Sequence, residues 1–149
     1  MGEHRRGLLM EAAWCLTLAR LRLAVFPYAW TVRRHGTVHS PGEGHARDKE
    51  RHLTSHQRAI AQEIGWAVDR AARHLPVVMT CLTQATAGRT MLKRRHIPFV
   101  MFYGQEKGRK SSEFVTHAWL TAGGIPITGQ DVAENFDAFA SFFDPLGKY

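Results

Sequence analysis

The sequence predicts an α+β fold in which N-terminal helices are followed by a small antiparallel sheet. Up to about residue 95, apolar residues recur at helical spacing, whereas from residue 99 onward short runs of β-forming residues are bounded by glycine and proline. The chain has 149 residues, 44% of them hydrophobic, which is enough for one domain with a real core. Helices and strands that are segregated along the chain are typical of the α+β class.

The first predicted helix covers Leu8 to Val25 and has one clear apolar face, formed by Leu9, Ala12, Leu16, Ala19 and Leu23. Pro27 ends or bends it because proline lacks the amide hydrogen that a helix needs. The polar stretch from Arg33 to Arg51 is rich in glycine, proline and histidine, so we predict a surface loop or linker there.

A second helix is predicted to begin near Thr54, which can form a capping box with Gln57, and to end at Pro76. A third is predicted to begin at Cys81, and its basic end at Arg95 complements the helix dipole. We place a boundary between an N-terminal helical region with its polar loop, residues 1–53, and a core of residues 54–149.

Three short strands are predicted after Pro98: Phe99 to Tyr103, Phe114 to Leu120 and Ile125 to Thr128. A basic loop from Gln105 to Ser112 separates the first two, and two glycines mark a hairpin between the second and third. The segment from Asp131 to Phe143 is amphipathic, with Asp131 suited to cap a helix that begins at Val132.

The net charge of +7 favours an anionic partner such as an acidic peptide. A nucleic acid is disfavoured because aromatic residues are not interleaved with the basic ones, Lys93 to Arg95 and Lys107 to Lys110. Two cysteines are too few for a disulfide scaffold, which indicates a reduced, intracellular setting. Charges interrupt the N-terminal apolar run, so no membrane span is predicted, while peripheral contact with a membrane or partner through Leu18 to Trp30 stays open.

Five histidines between residues 35 and 56 raise the question of a metal site: His35, His39, His45, His52 and His56. Their spacing is irregular and no cysteine lies nearby, unlike the closed ligand sets of zinc sites. We therefore expect solvated loop histidines and no metal or other cofactor.

Cys81 and His117 are the residues that suggest catalysis. Thiol chemistry needs a thiolate, and a helix N-terminus or a nearby imidazolium stabilises one. Cys81 stands at a predicted helix start and His117 lies in a predicted strand, so the fold can bring a nucleophile and a base together. Taken singly, a cysteine such as Cys81 is usually a small buried apolar residue, and His117 can simply cap a strand. We expect Trp119 to point away from His117 and to pack in the core.

An ordered set of motifs runs through the second half of the chain: Leu75-Pro76, Cys81-Leu82, Ala85, Leu92-Lys93-Arg94-Arg95, Ile97-Pro98, Phe114 and His117-Ala118-Trp119. This set resembles the lasso-peptide biosynthesis B proteins, which are leader peptidases among the transglutaminase-like, papain-related cysteine proteases. The resemblance extends from about Ala59 to Phe143, and the chain's length resembles the stand-alone protease form.

The resemblance implies a cytoplasmic cysteine endopeptidase that cuts a ribosomally made precursor peptide at the junction of leader and core. It implies Cys81 as the nucleophile, His117 as general base and later acid, and an acidic residue that orients the imidazole. Asp131 is the nearest candidate for that acid. The implied partners are the leader peptide, a small precursor-recognition protein and the ATP-dependent lasso cyclase, with no cofactor. The sequence departs from the family at His96, where a turn glycine is expected.

Three other functions stay open from the sequence. The same Cys-His pair can serve an acyl transferase of the transglutaminase type, in which an amine replaces water. A protein with an inactive site can act as a peptide-binding scaffold of the maturation complex. A basic RNA-binding protein is the third, and its affinity would fall steeply with salt.

Overall fold

The computed structural model describes residues 2–27, 30, 33, 36–108 and 116–143 and has the predicted α+β fold. Helix α1 covers Glu3–Val25, α2 Pro41–Glu50, α3 Ser55–His74 and α4 Cys81–Arg94. The capping box expected at Thr54 is present, because its hydroxyl accepts from the Gln57 amide while the Gln57 side chain accepts from the Thr54 amide. The second and third predicted helices are therefore confirmed as α3 and α4, and the first begins five residues earlier than predicted.

The strands are β1 Val38–His39, β2 Val100–Glu106, β3 Thr116–Ala122, β4 Ile125–Thr128 and β5 Phe136–Phe142, with the short helix α5, Gln130–Ala133, between β4 and β5. They form one five-stranded antiparallel sheet in the order β1-β5-β2-β3-β4, and all of them except β1 follow α4 in the chain. The predicted hairpin from β3 into β4 is confirmed, and Gly123 and Gly124 both have positive φ at its turn. Phe114, the predicted start of the second strand, lies outside the described residues.

The sheet is covered on both faces. On one face Ala118 and Leu120 of β3 join the main core with residues of α1, α3 and α4. On the other, Phe102 and Trp119 pack with Val100 and Phe143 in a smaller cluster beside α2. A strand that is buried on both faces needs a continuous apolar run rather than alternation, and β2 has one over its first four residues.

Helices α3 and α4 approach the sheet closely through glycine. A Cβ atom at Gly65 would lie 2.9 Å from the Ile127 carbonyl oxygen, and one at Gly88 would lie 2.9 Å from a methyl group of Leu120. Because these two positions lack side chains, both helices pack closely against β3 and β4. Cys81 occupies the first position of α4.

An ion-pair cluster fixes α1 to the end of α4. The Glu11 carboxylate accepts two hydrogen bonds from the Arg95 guanidinium, at 3.0 and 2.6 Å, and one from Arg94 at 3.2 Å. The hydrogen bonds and positive charge of these arginines, and chiefly the hydrogen bonding of Arg95, hold the pKa of Glu11 below its usual range. Two of the basic residues at the end of α4 are thus engaged in ion pairs with Glu11. Arg109 and Lys110 of the predicted basic loop lie outside the described residues.

Two sequence predictions about local structure were wrong. The stretch from Arg33 to Arg51 was predicted to be a loop, yet it contains β1 and α2, which Ser40 and Glu43 start with a complete capping box. The alternative in which Asp131 caps a helix from Val132 to Phe143 was also wrong, because the main element there is β5, whose Phe142 and Ala140 reach the main core. The boundary at residue 53 stays a prediction; β1 pairs with β5 across it.

We predict that Glu11→Gln lowers the free energy of unfolding by about 1–2 kcal/mol at neutral pH, since both arginines lose a charged, half-buried acceptor. Because the pKa of Glu11 is lowered by folding, its stabilisation is complete above the unfolded value of about 4.3 and is lost as pH falls through the folded value. Urea unfolding at several pH values measures the difference between wild type and variant, which should shrink in acid.

A matched control is Asp69→Asn, which breaks the exposed pair of Asp69 with Arg73 and should cost less than about 1 kcal/mol. Equal effects of the two substitutions at neutral pH would contradict the anchoring role of Glu11.

Candidate active site

The three predicted site residues, Cys81, His117 and Asp131, line one cavity of about 410 Å³. The cavity lies where the edge strand β4 ends and α4 begins. Its remaining lining residues come from α3, α4 and the end of β4: Asp69, Arg73, Gln84, Ile127, Thr128 and Gly129. The fold therefore gathers residues that are far apart in sequence around one concave surface of a size suited to a peptide side chain or a short segment.

Cys81 is half-buried at the first position of α4. Thr80 caps the helix: its hydroxyl accepts from the Thr83 amide at 3.3 Å and shares a hydrogen bond with the Thr83 hydroxyl at 2.9 Å. The first amides of a helix have no acceptor within it, so the N–H groups of Cys81 and Leu82 have no partner in α4, and Cys81 lines the cavity. The helix dipole adds partial positive charge at this end, which favours an anionic sulfur or oxygen.

His117 is buried, with 8% of its surface exposed, and is held by a backbone carbonyl. Its Nε2 atom lies 2.8 Å from the carbonyl oxygen of Gly129. A carbonyl oxygen only accepts hydrogen bonds, so the proton of the neutral ring resides on Nε2. Nδ1 is then the nitrogen with the free lone pair, as a general base requires.

Aromatic rings fix the plane of His117. The imidazole stacks on Phe136 with centroids 4.9 Å apart and on Trp119 with centroids 5.9 Å apart. Trp119 in turn stacks on Phe102. The expectation that Trp119 points away from His117 was wrong, because residues two apart in a strand share a face, although Trp119 is buried as predicted.

Cys81 and His117 approach the cavity from different sides. His117 shares a face of β3 with Trp119, whereas α4, which carries Cys81, packs on the opposite face against Leu120. Both residues line the same cavity, beside Gly129 just past the end of β4. Within the described residues, no hydrogen bond joins Cys81 to His117, although catalytic hydrogen bonds are often long without substrate.

Asp131 is exposed and lies in the first turn of α5. It lines the cavity, but the hydrogen bond that His117 makes among the described residues goes to Gly129 rather than to this carboxylate. The interpretation of Asp131 as the cap of a long helix was wrong, since it lies inside a four-residue helix.

Sequence reasoning missed four residues that the structure adds to the site. Asp69 and Arg73 form an i,i+4 ion pair at 3.1 Å on the last turns of α3 and border the cavity. Gln84 donates from Nε2 to the Met79 carbonyl at 3.0 Å, which ties the segment before Cys81 to α4. Gly129 has φ +73°, and a glycine between a strand and a short helix was the signal that could have marked it.

Of the five histidines considered for metal binding, His39 stacks on Phe143 and His45 stacks on Phe102. His35 lies outside the described residues. In the part of the chain that the structure describes, no three or more His, Cys, Asp or Glu side chains converge as ligands of a metal ion would.

Across the described ranges, no helix combines the length and the apolar character needed to cross a bilayer.

Comparison with known proteins gives one match. The family model described as the transglutaminase-like superfamily matches residues 22–143, which include Cys81, His117 and Asp131. Comparisons with curated proteins and with solved structures returned no match.

We predict that iodoacetamide modifies Cys81 and spares Cys15 in the folded protein. Cys15 is buried in the contact between α1 and α4, and burial raises the pKa of its thiol, which lowers its thiolate fraction at neutral pH. Cys81 instead borders a cavity at a helix start. Peptide mass mapping after brief labelling should find one modified cysteine, and labelling in urea should modify both. Preferential labelling of Cys15 in the folded state would contradict the placement of the two thiols.

Proposed function

Because the chain belongs to the transglutaminase-like superfamily, we propose that it is a cysteine peptidase that removes the leader from a lasso-peptide precursor. The observation that carries the enzymatic part is the cavity in which Cys81, His117 and Asp131 meet. Members of the superfamily are typically cysteine peptidases or acyl transferases. The finer assignment to leader removal rests on the ordered motifs from Leu75 to Trp119.

In the first step His117 takes the thiol proton of Cys81 on Nδ1, and the sulfur attacks the scissile carbonyl carbon. A tetrahedral intermediate forms with its negative charge on the former carbonyl oxygen. We assign the oxyanion contacts to the unpaired N–H groups of Cys81 and Leu82 at the start of α4. Preorganised donors of this kind are each worth about 10²–10³ in rate.

In the second step the carbon–nitrogen bond breaks, and the imidazolium gives its proton to the leaving amine of the core peptide. The leader stays on Cys81 as a thioester. Water then attacks this thioester with its proton passing to His117, the carbon–sulfur bond breaks, and the leader leaves with a carboxylate while the thiol is restored. The reaction needs no cofactor.

Two groups support the imidazole in different ways. The Gly129 carbonyl accepts the Nε2 hydrogen bond and so fixes the tautomer and the ring plane. Asp131, the predicted acidic member, lines the cavity, and in this proposal it stabilises the imidazolium by charge rather than by direct contact. We propose this division of the role that a single aspartate performs in a Ser-His-Asp triad.

The proposed partners are the precursor's leader peptide, a small precursor-recognition protein and the ATP-dependent lasso cyclase, in the cytoplasm. The net charge of +7 suits an acidic leader. Because Arg94 and Arg95 are bound to Glu11, and Lys107 lies 4.0 Å from the Asp137 carboxylate, the exposed Lys93 is better placed for such contacts among the basic residues discussed.

We predict that the wild-type protein cuts a precursor at one junction and that Cys81→Ala lowers the rate by at least about 10³-fold. The assay combines a lasso-peptide precursor with a precursor-recognition protein and follows products by mass spectrometry. Cys15→Ala is the matched control and should retain cleavage, since Cys15 lies in the core away from the cavity. A product with the mass of added water indicates hydrolysis, whereas a new amide would indicate acyl transfer.

Cleavage that survives Cys81→Ala would contradict the assignment of the nucleophile. An uncut precursor that nevertheless binds the folded wild-type protein would favour a scaffold instead of an enzyme.

We predict that Gly129→Ala reduces kcat far more than Asp131→Asn does. A Cβ atom at residue 129 would lie 2.8 Å from the Ala118 carbonyl oxygen and 3.0 Å from His117 Nε2, so the supporting carbonyl must shift. Loss of ring orientation should cost about 10²-fold. Asp131→Asn removes an exposed charge and should cost less than about tenfold. A loss of about 10⁴-fold for Asp131→Asn would show that this carboxylate bonds the ring directly.

A further inference from the structure

Helix α1 is apolar on two faces, and one of them is exposed. Its buried residues, Leu8, Ala12, Cys15, Leu16 and Ala19, face α3 and α4. On the other side Met10 is 74% exposed, Trp14 60%, Leu21 55% and Val25 72%. Contiguous exposed apolar side chains on a soluble protein mark a surface that contacts something.

These four residues, called the α1 stripe below, lie along one side of the helix, with the exposed Thr17 between Trp14 and Leu21. At 3.6 residues per turn they fall within about 60° of one another around the helix axis. They extend over most of α1, and the exposed rings of Phe26 and Trp30, which stack with centroids 6.3 Å apart, continue the apolar surface past the end of the helix. The stripe is therefore a long, narrow surface, which at Met10 borders a shallow cavity of about 310 Å³ between α1 and α3.

Positive charge flanks the α1 stripe on both sides. By helical geometry, Arg6 and Arg20 lie along one side and Arg22 along the other, and all three are exposed. The acidic residues of α1 are Glu3 and Glu11. Since Glu11 is bound to Arg94 and Arg95, Glu3 is the acid in α1 that remains to offset the charge of the flanking arginines. The charge beside the stripe thus favours an anionic counterpart and disfavours a second copy of this chain, whose own stripe would bring the same arginines.

Most of the α1 stripe lies outside the superfamily match, which begins at residue 22, and the catalytic cavity does not include α1. The surface is therefore separate from the proposed chemistry. An interfacial helix typically combines arginine flanks with tryptophan and leucine on its apolar face, and Trp14 beside Leu21 between arginines matches that composition.

We propose that the α1 stripe binds the surface of an anionic lipid bilayer, with α1 lying parallel to the membrane plane. Trp14, Leu21 and Met10 enter the boundary between head groups and acyl chains, while Arg6, Arg20 and Arg22 contact lipid phosphates. The opposite face of α1 stays packed on α3 and α4, so binding needs no unfolding of the domain.

Vesicle flotation tests this proposal with the whole protein. We expect binding to vesicles of phosphatidylcholine mixed with phosphatidylglycerol that is about tenfold or more stronger than binding to phosphatidylcholine alone, and that weakens with salt. Leu21→Glu should lower the binding by about tenfold or more, because it places a negative charge within the stripe. Val78→Glu is the matched control: Val78 is 81% exposed, lies outside α1 and should leave binding near the wild-type level. Circular dichroism establishes that both variants are folded.

Absence of vesicle binding, equal binding to neutral vesicles, or equal loss in both variants would overturn the proposal. A concentration-dependent dimer that Leu21→Glu abolishes, without vesicle binding, would assign the stripe to a second copy of the chain. Binding of an acidic amphipathic peptide without vesicle binding would assign it to a protein partner, and would likewise overturn the lipid assignment.

Discussion

The hydrogen bond from His117 Nε2 to the carbonyl of Gly129 is the constraint on which the site depends. It fixes which ring nitrogen carries the proton and, with the stacked rings of Phe136 and Trp119, the plane in which the imidazole lies. A backbone carbonyl holds this position because Gly129 adopts a positive φ and has no side chain to collide with the ring. The chemistry proposed for Cys81 requires the tautomer that this contact selects.

The rest of the fold brings Cys81 to the cavity that His117 also lines. Close packing of α3 and α4 through Gly65 and Gly88 sets the position of the α4 N-terminus at the open end of β4. At the far end of α4, Glu11 joins the helix to α1 through two arginines. The helix that carries Cys81 is therefore fixed at its middle by Gly88 and at its far end by Glu11.

Sequence patterns were sufficient for the class of fold, for α3 and α4, and for the residues that meet in the cavity. They were insufficient where tertiary packing overrides local preference. In β5 apolar and polar residues alternate only weakly, and the segment forms a strand because β2 offers an edge with which it pairs. The support of His117 could not be predicted, because a backbone carbonyl leaves no signature in residue types. The prediction at His96 was partly successful. His96 stands where the resembled family has a turn glycine, and its φ of +53° is a strained conformation for a residue with a side chain.

The central claim is that His117 presents a free Nδ1 to Cys81 while Nε2–H is held by Gly129. Nitrogen-15 NMR of histidine-labelled protein, at a pH where the ring is neutral, identifies the protonated nitrogen directly. We expect the His117 proton on Nε2, and a change in the Nδ1 signal when Cys81 is replaced by alanine. A proton on Nδ1, or a ring whose signals do not respond to Cys81→Ala, would contradict the claim.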